Sequence, residues 1–163
     1  MISVGLPAPS AIVLELIKRW GRIFDGAKVT TLQIVLGYAI AVAVSIPLAM
    51  GIAFSAWMAR TIYPLIVAFQ VVPKIAIAPI FVIWFGIGEI PAILTAFLIS
   101  FFPIVVNVAT GLATMEPELE DVLRVLGAKR WDVLIKVGLP RSLPYFYGSL
   151  KVAITLAFVG TVL

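Results

Sequence analysis

The sequence predicts an all-α, polytopic membrane helix bundle. Three observations predict it. Of 163 residues, 63% are hydrophobic and 12% are charged, against about 25% charged in a soluble domain. Val29 to Trp57 carries no charge, and that run exceeds the roughly 20 residues a helix needs to cross the hydrocarbon core. The charges are also segregated, with ten of them between Glu116 and Arg141. The length suits one domain, residues 1–163.

Composition excludes several kinds of chemistry. There is no Cys and no His, so no disulfide framework, thiolate metal site or neutral-pH imidazole base is possible. No Gly-rich loop with a phosphate-binding Lys is present, so the chain is expected neither to hydrolyse ATP nor to be an enzyme. No cofactor or metal is expected. The net charge of +4 is read as a marker of cytoplasmic loops, not of nucleic-acid binding. Met1 to Pro9 carries no Lys or Arg, unlike the start of a signal peptide.

The elements follow in order. Residues 10–26 form an amphipathic helix for the membrane interface. Val13, Leu16, Ile17, Trp20 and Phe24 share one stripe, with Glu15, Lys18, Arg19 and Arg22 off it. Ser10 is its expected N-cap and Gly26 its stop. The first span is Thr30 to Phe54, with Pro47 inside it. The second is Ile62 to Gly86, interrupted by Gln70, Pro73, Lys74 and Pro79, so it should face protein and not bare lipid. Residues 86–91 form a turn, and the third span is Ala92 to Ala113.

Residues 114–141 are a polar connection. Glu116-Pro117 starts a helix that Gly127 ends as a C′ residue. Lys129 to Val137 is a second short helix closed by Leu139-Pro140, and Ser142 caps the last. Only twelve residues follow Lys151, so that final span should be incomplete. Six of the twelve Lys and Arg lie between Arg124 and Lys151. The positive-inside rule therefore makes that connection cytoplasmic, with Arg60 on the same side and Glu89 outside. The same count puts Lys18, Arg19, Arg22 and Lys28 outside, against the rule. That leaves either an exceptional outer helix or a span preceding the chain.

The spacing of the polar connection is its most specific feature. Asp121 is followed six residues later by Gly127, then by Val137 and by Leu139-Pro140. This resembles the cytoplasmic signature loop of ABC importer permeases: Glu-Ala-Ala, three residues, Gly, nine residues, Ile, one residue, Leu-Pro. Asp121-Val122-Leu123 stands for the first triplet, which departs from the pattern, and Val137 stands for Ile. Leu6-Pro7-Ala8-Pro9, Val72-Pro73-Lys74-Ile75-Ala76, Ala78-Pro79-Ile80-Phe81, Trp84-Phe85-Gly86-Ile87-Gly88-Glu89, Leu126-Gly127-Ala128 and Gly148-Ser149-Leu150-Lys151-Val152-Ala153 look like the nitrate, sulfonate and taurine branch. The resemblance runs from about Leu6 to Leu163.

The resemblance implies a permease subunit of the inner (cytoplasmic) membrane. Its partners would be ABC-type ATPase subunits that bind the ATP, a solute-binding protein, a second permease subunit in a homodimer, and membrane lipid. Coupling to the ATPase would fall to Asp121, Leu126, Gly127, Ala128, Arg130, Trp131, Leu139 and Pro140. It also implies a span before the first one here, the rest of a fifth and a sixth, so the chain is expected to lack both ends.

Lys74 is the sharpest residue inside a span. Ionisable groups there face a partner or water. One reading is a pathway cation for a small anion such as nitrate, a sulfonate such as taurine, or bicarbonate. The other is a Lys bonded to a backbone carbonyl beside Pro73. Gln70 and Asn107 either join it in the pathway or bond neighbouring helices. Two rival functions stand beside the importer. One is a secondary transporter or channel with Lys74 and Glu89 as a charge pair, and the other is a truncated membrane protein that transports nothing.

Overall fold

The computed structural model describes residues 9–113, 122–123 and 125–162. The described residues are mostly helical, and no strand occurs among them. They fall into two compact units, residues 1–32 and 33–163.

The first unit contains α1 (Pro9–Lys18) and the start of α2 (Trp20–Phe54). Backbone bonds from Arg19 N–H to the Glu15 carbonyl and from Ile23 N–H to the Arg19 carbonyl, both 3.0 Å, carry the ladder past the single turn residue. Arg19 pairs with Glu15, and Lys28 lies 3.6 Å from Asp25. No residue of α1 is buried. Two expected boundaries are corrected. Ser10 lies inside α1, and α2 runs through Gly26 without stopping. An interior Gly costs only about 1 kcal/mol against Ala, too little to end a helix that continues into an apolar run.

The second unit holds the rest of α2, then α3 (Ala56–Val71), a 3₁₀ turn (Lys74–Ile77), α4 (Ala78–Phe85) and α5 (Glu89–Ala113). After the connection come α6 (Arg130–Val133), a π-helical turn (Leu134–Gly138) and α7 (Leu139–Val162). Among the described residues, three helical stretches are long and apolar enough to cross a membrane: Trp20–Phe54, Glu89–Ala113 and Trp131–Val162. The fold is that of an all-α integral membrane protein.

The contacts between helices fix their directions. Ser45 Oγ donates to the Phe101 carbonyl at 3.2 Å, and Gly37 meets Ala96, so α2 and α5 run parallel. Ser100 Oγ donates to the Ala153 carbonyl at 2.9 Å, and Gly160 also meets Ala96, so α7 runs antiparallel to α5. The Tyr63 and Thr110 hydroxyls lie 3.2 Å apart, and Lys74 just past α3 lies over the Phe102 ring, so α3 runs antiparallel to α5 as well. Small residues permit these approaches. A Cβ on Gly37 would lie 2.7 Å from Ala96 Cβ and 2.8 Å from the Ile93 carbonyl oxygen. One on Gly160 would lie 3.0 Å from Ala96 Cα. Ala96 is thus held between two glycines, above a core that includes Ala41, Ile52, Ile104, Val105, Val108 and Ala153.

The second expected span is not one helix. Residues before Pro avoid the helical region, and Val72 is extended (φ −63°, ψ 130°). At 1.5 Å per residue, α3 is about 24 Å long and α4 about 12 Å, so neither alone covers the ~30 Å core. The last span differs in the opposite sense. Leu139-Pro140 does not close a helix, and Ser142 is not a cap: its Oγ donates backward to the Leu139 carbonyl at 2.9 Å. A proline ring clashes with the carbonyl four residues earlier. The wide π turn directly before Pro140 relieves that clash and lets the helix continue. The helical stretch Trp131–Val162 as a whole is long and apolar enough to cross a membrane, with Lys151 exposed within it.

Candidate coupling segment and mid-membrane cation

Gly127 has φ +87°, the left-handed region that L side chains avoid. The Ala128 N–H bonds the Leu123 carbonyl at 3.0 Å. That six-to-one bond belongs to a Schellman stop with Gly127 at C′, as the sequence predicts. The chain restarts two residues on. Lys129 N–H is capped by Asp132 Oδ2 at 3.3 Å, half of a capping box. Asp132 also pairs with Lys136 at 3.4 Å. The result is a capped turn between two helical pieces, with an open cleft of ≈ 340 Å³ lined by Leu123, Leu126, Gly127, Asp132, Lys136 and Val137.

Leu126 is 77% exposed at the tip of this reversal, and Ala128 is half-buried behind it. Trp131 packs against Phe54, ring centroids 4.4 Å apart and planes inclined at 44°. That contact ties α6 to the C-terminal end of α2 and sets the reversal at the same end of the bundle as Arg60. The backbone of Arg130 opens α6, while Leu139 and Pro140 lie in α7 beyond the π turn. Asp121 lies outside the described residues. The structure thus brings Leu126, Gly127, Ala128 and Trp131 to one end and carries Leu139 and Pro140 away into a span. The Phe54 partner of Trp131 was not legible in the sequence, because nothing local marks a contact between residues so far apart.

Lys74 sits at the break between α3 and α4. Its Nζ donates to the Gln70 carbonyl at 2.7 Å and lies 4.9 Å from the Phe102 ring centroid. One ammonium hydrogen therefore caps the end of α3, while α5 supplies a π face. Gln70 contributes its backbone only. Its side chain and that of Asn107 are exposed, and neither makes a hydrogen bond among the described residues. Lys74 and Gln70 are brought together, and Asn107 is not joined to them. The hydrogen bonds between neighbouring helices come instead from Tyr38, Ser45, Tyr63 and Ser100, hydroxyls that the sequence reading passed over. Trp84, Phe85 and Glu89 are exposed beside the turn.

Residues 34–163 match the family described as the binding-protein-dependent transport system inner membrane component. The chain belongs to that family. Among similar proteins is the formylaminopyrimidine transport permease protein of Halalkalibacterium halodurans, 34% identical over 95% of this chain and 62% of its own length. The riboflavin transport system permease protein of Chloroflexus aurantiacus is 34% identical over 65% of this chain and 40% of its own. The nitrate import permease protein of Leptolyngbya laminosa is 32% identical over 80% and 47%. The chain thus spans less than two thirds of each of these relatives. Family membership agrees with the resemblance read from residues 121–140. The relatives' names give three different solutes and do not choose among them.

Proposed function

We propose that this chain is the transmembrane permease subunit of an ATP-driven solute importer in the inner membrane. Two copies line one pathway, a separate ATPase binds from the cytoplasm, and a solute-binding protein delivers from outside. The observation that carries this reading is the left-handed turn at Gly127, held to the end of α2 through Trp131 and Phe54. ATP-driven closure of a cytoplasmic dimer needs a stiff lever outside the membrane, and a stopped helix followed by a capped one supplies it. Leu126, Gly127, Ala128, Arg130 and Trp131 would contact the ATPase, with Asp121 before them. Leu139 and Pro140 would pass the movement into α7 through the π turn. Residues 10–26 would lie at the membrane surface, apolar stripe inward.

The solute is proposed to be a small anion, for which Lys74 is a cation beside the pathway, with Gln70 and Asn107 near it. The nitrate relative supports this class, and the pyrimidine and riboflavin relatives do not. The test of the importer reading is reconstitution of the chain, in its full-length form, with the ATPase and the solute-binding protein. ATP hydrolysis stimulated by the loaded binding protein and accompanied by uptake is the expected result. Uptake driven by an ion gradient without ATPase would replace it with a secondary transporter.

A further inference from the structure

Lys151 has received no role, yet its position is unusual. It lies ten positions beyond Arg141, so at 1.5 Å per residue the two lie about 15 Å apart along the helix axis, half of the ~30 Å hydrocarbon core. The pairing of Ser100 with Ala153 across antiparallel helices sets Lys151 at the height of Phe102, the ring over which Lys74 sits. Two cations therefore share one depth near the middle of the membrane.

Lys151 also faces away from the bundle. The buried positions of α7 are Ser142, Ser149, Ala153, Ala157 and Gly160, and Lys151 lies midway between two of them, on the opposite side. Tyr147 and Thr155, one turn before and one turn after, are exposed on the same face. The Thr155 hydroxyl donates to the Lys151 carbonyl at 3.2 Å, which leaves its lone pairs and the Tyr147 hydroxyl available. A lysine at this depth does not face lipid without heavy cost; such groups meet water or a counter-charge. Among the described residues no carboxylate pairs with Lys151, the ion pairs there being Arg19 with Glu15, Lys28 with Asp25 and Lys136 with Asp132.

We infer that Lys151, with Tyr147 and Thr155, is an anion-binding station of the translocation pathway at the depth of Lys74. The inference rests on the importer reading and adds the residues that hold the solute within it. The ligand class is a small anion with several acceptor oxygens, able to take bonds from an ammonium and a phenol together.

The test uses the complete complex in proteoliposomes, with isotope-labelled nitrate and uncharged formylaminopyrimidine as probes. Lys151→Arg, Lys151→Gln and Lys151→Met are compared for uptake and for complex stability. Loss of a hydrogen bond to a charged group predicts a fall of roughly 10- to 150-fold in nitrate kcat/KM for Lys151→Gln. Lys151→Arg should retain transport. Lys151→Met should leave the thermal stability of the complex unchanged or higher. Nitrate uptake by Lys151→Gln equal to that of wild type overturns the inference, while ATP-driven uptake by the wild type keeps the importer reading intact. A wild-type complex that carries only the uncharged probe overturns it too. So does a loss of complex stability in Lys151→Met, which would make Lys151 half of a structural ion pair with another subunit. A wild-type complex whose ATP hydrolysis is not stimulated by the loaded binding protein defeats the importer reading, and the inference falls with it; stimulated hydrolysis without uptake of nitrate overturns the inference alone.

Discussion

A side chain at position 127 should uncouple ATP hydrolysis from uptake in proportion to its intolerance of a left-handed backbone. Gly127 has φ +87°, and a Cβ added there meets nothing within 4 Å. Substitution therefore introduces no clash, and its whole effect is conformational. For an ordinary L residue that cost is roughly 1–2 kcal/mol, less for Asn and more for a β-branched side chain. Since about 1.4 kcal/mol is a factor of ten, Gly127→Ala should shift the local equilibrium about 5- to 30-fold toward an unstopped helix. The assay is reconstituted uptake measured beside ATP hydrolysis stimulated by the binding protein. Gly127→Asn should stay near wild type, Gly127→Ala should be impaired, and Gly127→Val should be lowest in both readouts together. The melting temperature of the bundle should hardly move, because the site is exposed and local. Wild-type coupling in Gly127→Val, or equal losses in Asn and Val, would refute the lever.

Three further substitutions probe other parts of the account. Gly37→Val drives a side chain into Ala96 and the Ile93 carbonyl, and overpacking of this kind costs about 1–3 kcal/mol. Thermal unfolding in detergent should show lower stability whether or not the ATPase is present. Trp131→Ala removes the ring contact with Phe54, worth about 0.5–1.5 kcal/mol. Uptake should fall while the complex still assembles, and normal uptake would separate α6 from the lever. Lys74→Gln removes the ammonium from the Gln70 carbonyl and the Phe102 face. If Lys74 serves the pathway, nitrate uptake should fall selectively; equal uptake with unchanged expression would leave it as a helix cap.

The helical class, α5 and the stop at Gly127 were legible in the sequence because each depends on a short pattern. The apolar run of Ala92 to Ala113 needs no partner to be read, and a positive φ needs a Gly. Boundaries governed by competing local terms were not legible. Gly26 reads as a stop, but the helix continues because the cost of one interior Gly is small. Leu139-Pro140 reads as a stop, but a π turn absorbs the proline. The break at Pro73 was legible, yet the contact of Lys74 with the Phe102 ring across it was not. Tertiary register was hidden altogether. No pattern within α2, α5 or α7 says that Gly37 and Gly160 both meet Ala96, or that Trp131 finds Phe54. The two readings of Lys74 stayed open for the same reason, since only the fold brings Phe102 beneath its ammonium.

The central claim is that the reversal around Gly127 meets the ATPase, and proximity tests it most directly. The chain has no Cys, so a single introduced thiol is unique. Leu126→Cys places it at the exposed tip of the reversal, and Ile87→Cys places it on the turn at the other end, where Ile87 is 98% exposed. Each variant is co-expressed with the ATPase and treated with a short thiol-to-amine cross-linker, and the cross-linked products are identified by mass. Cross-links to the ATPase from Leu126→Cys, with a yield that changes on ATP binding and with none from Ile87→Cys, are the predicted result. Cross-links from Ile87→Cys but not from Leu126→Cys would contradict the account.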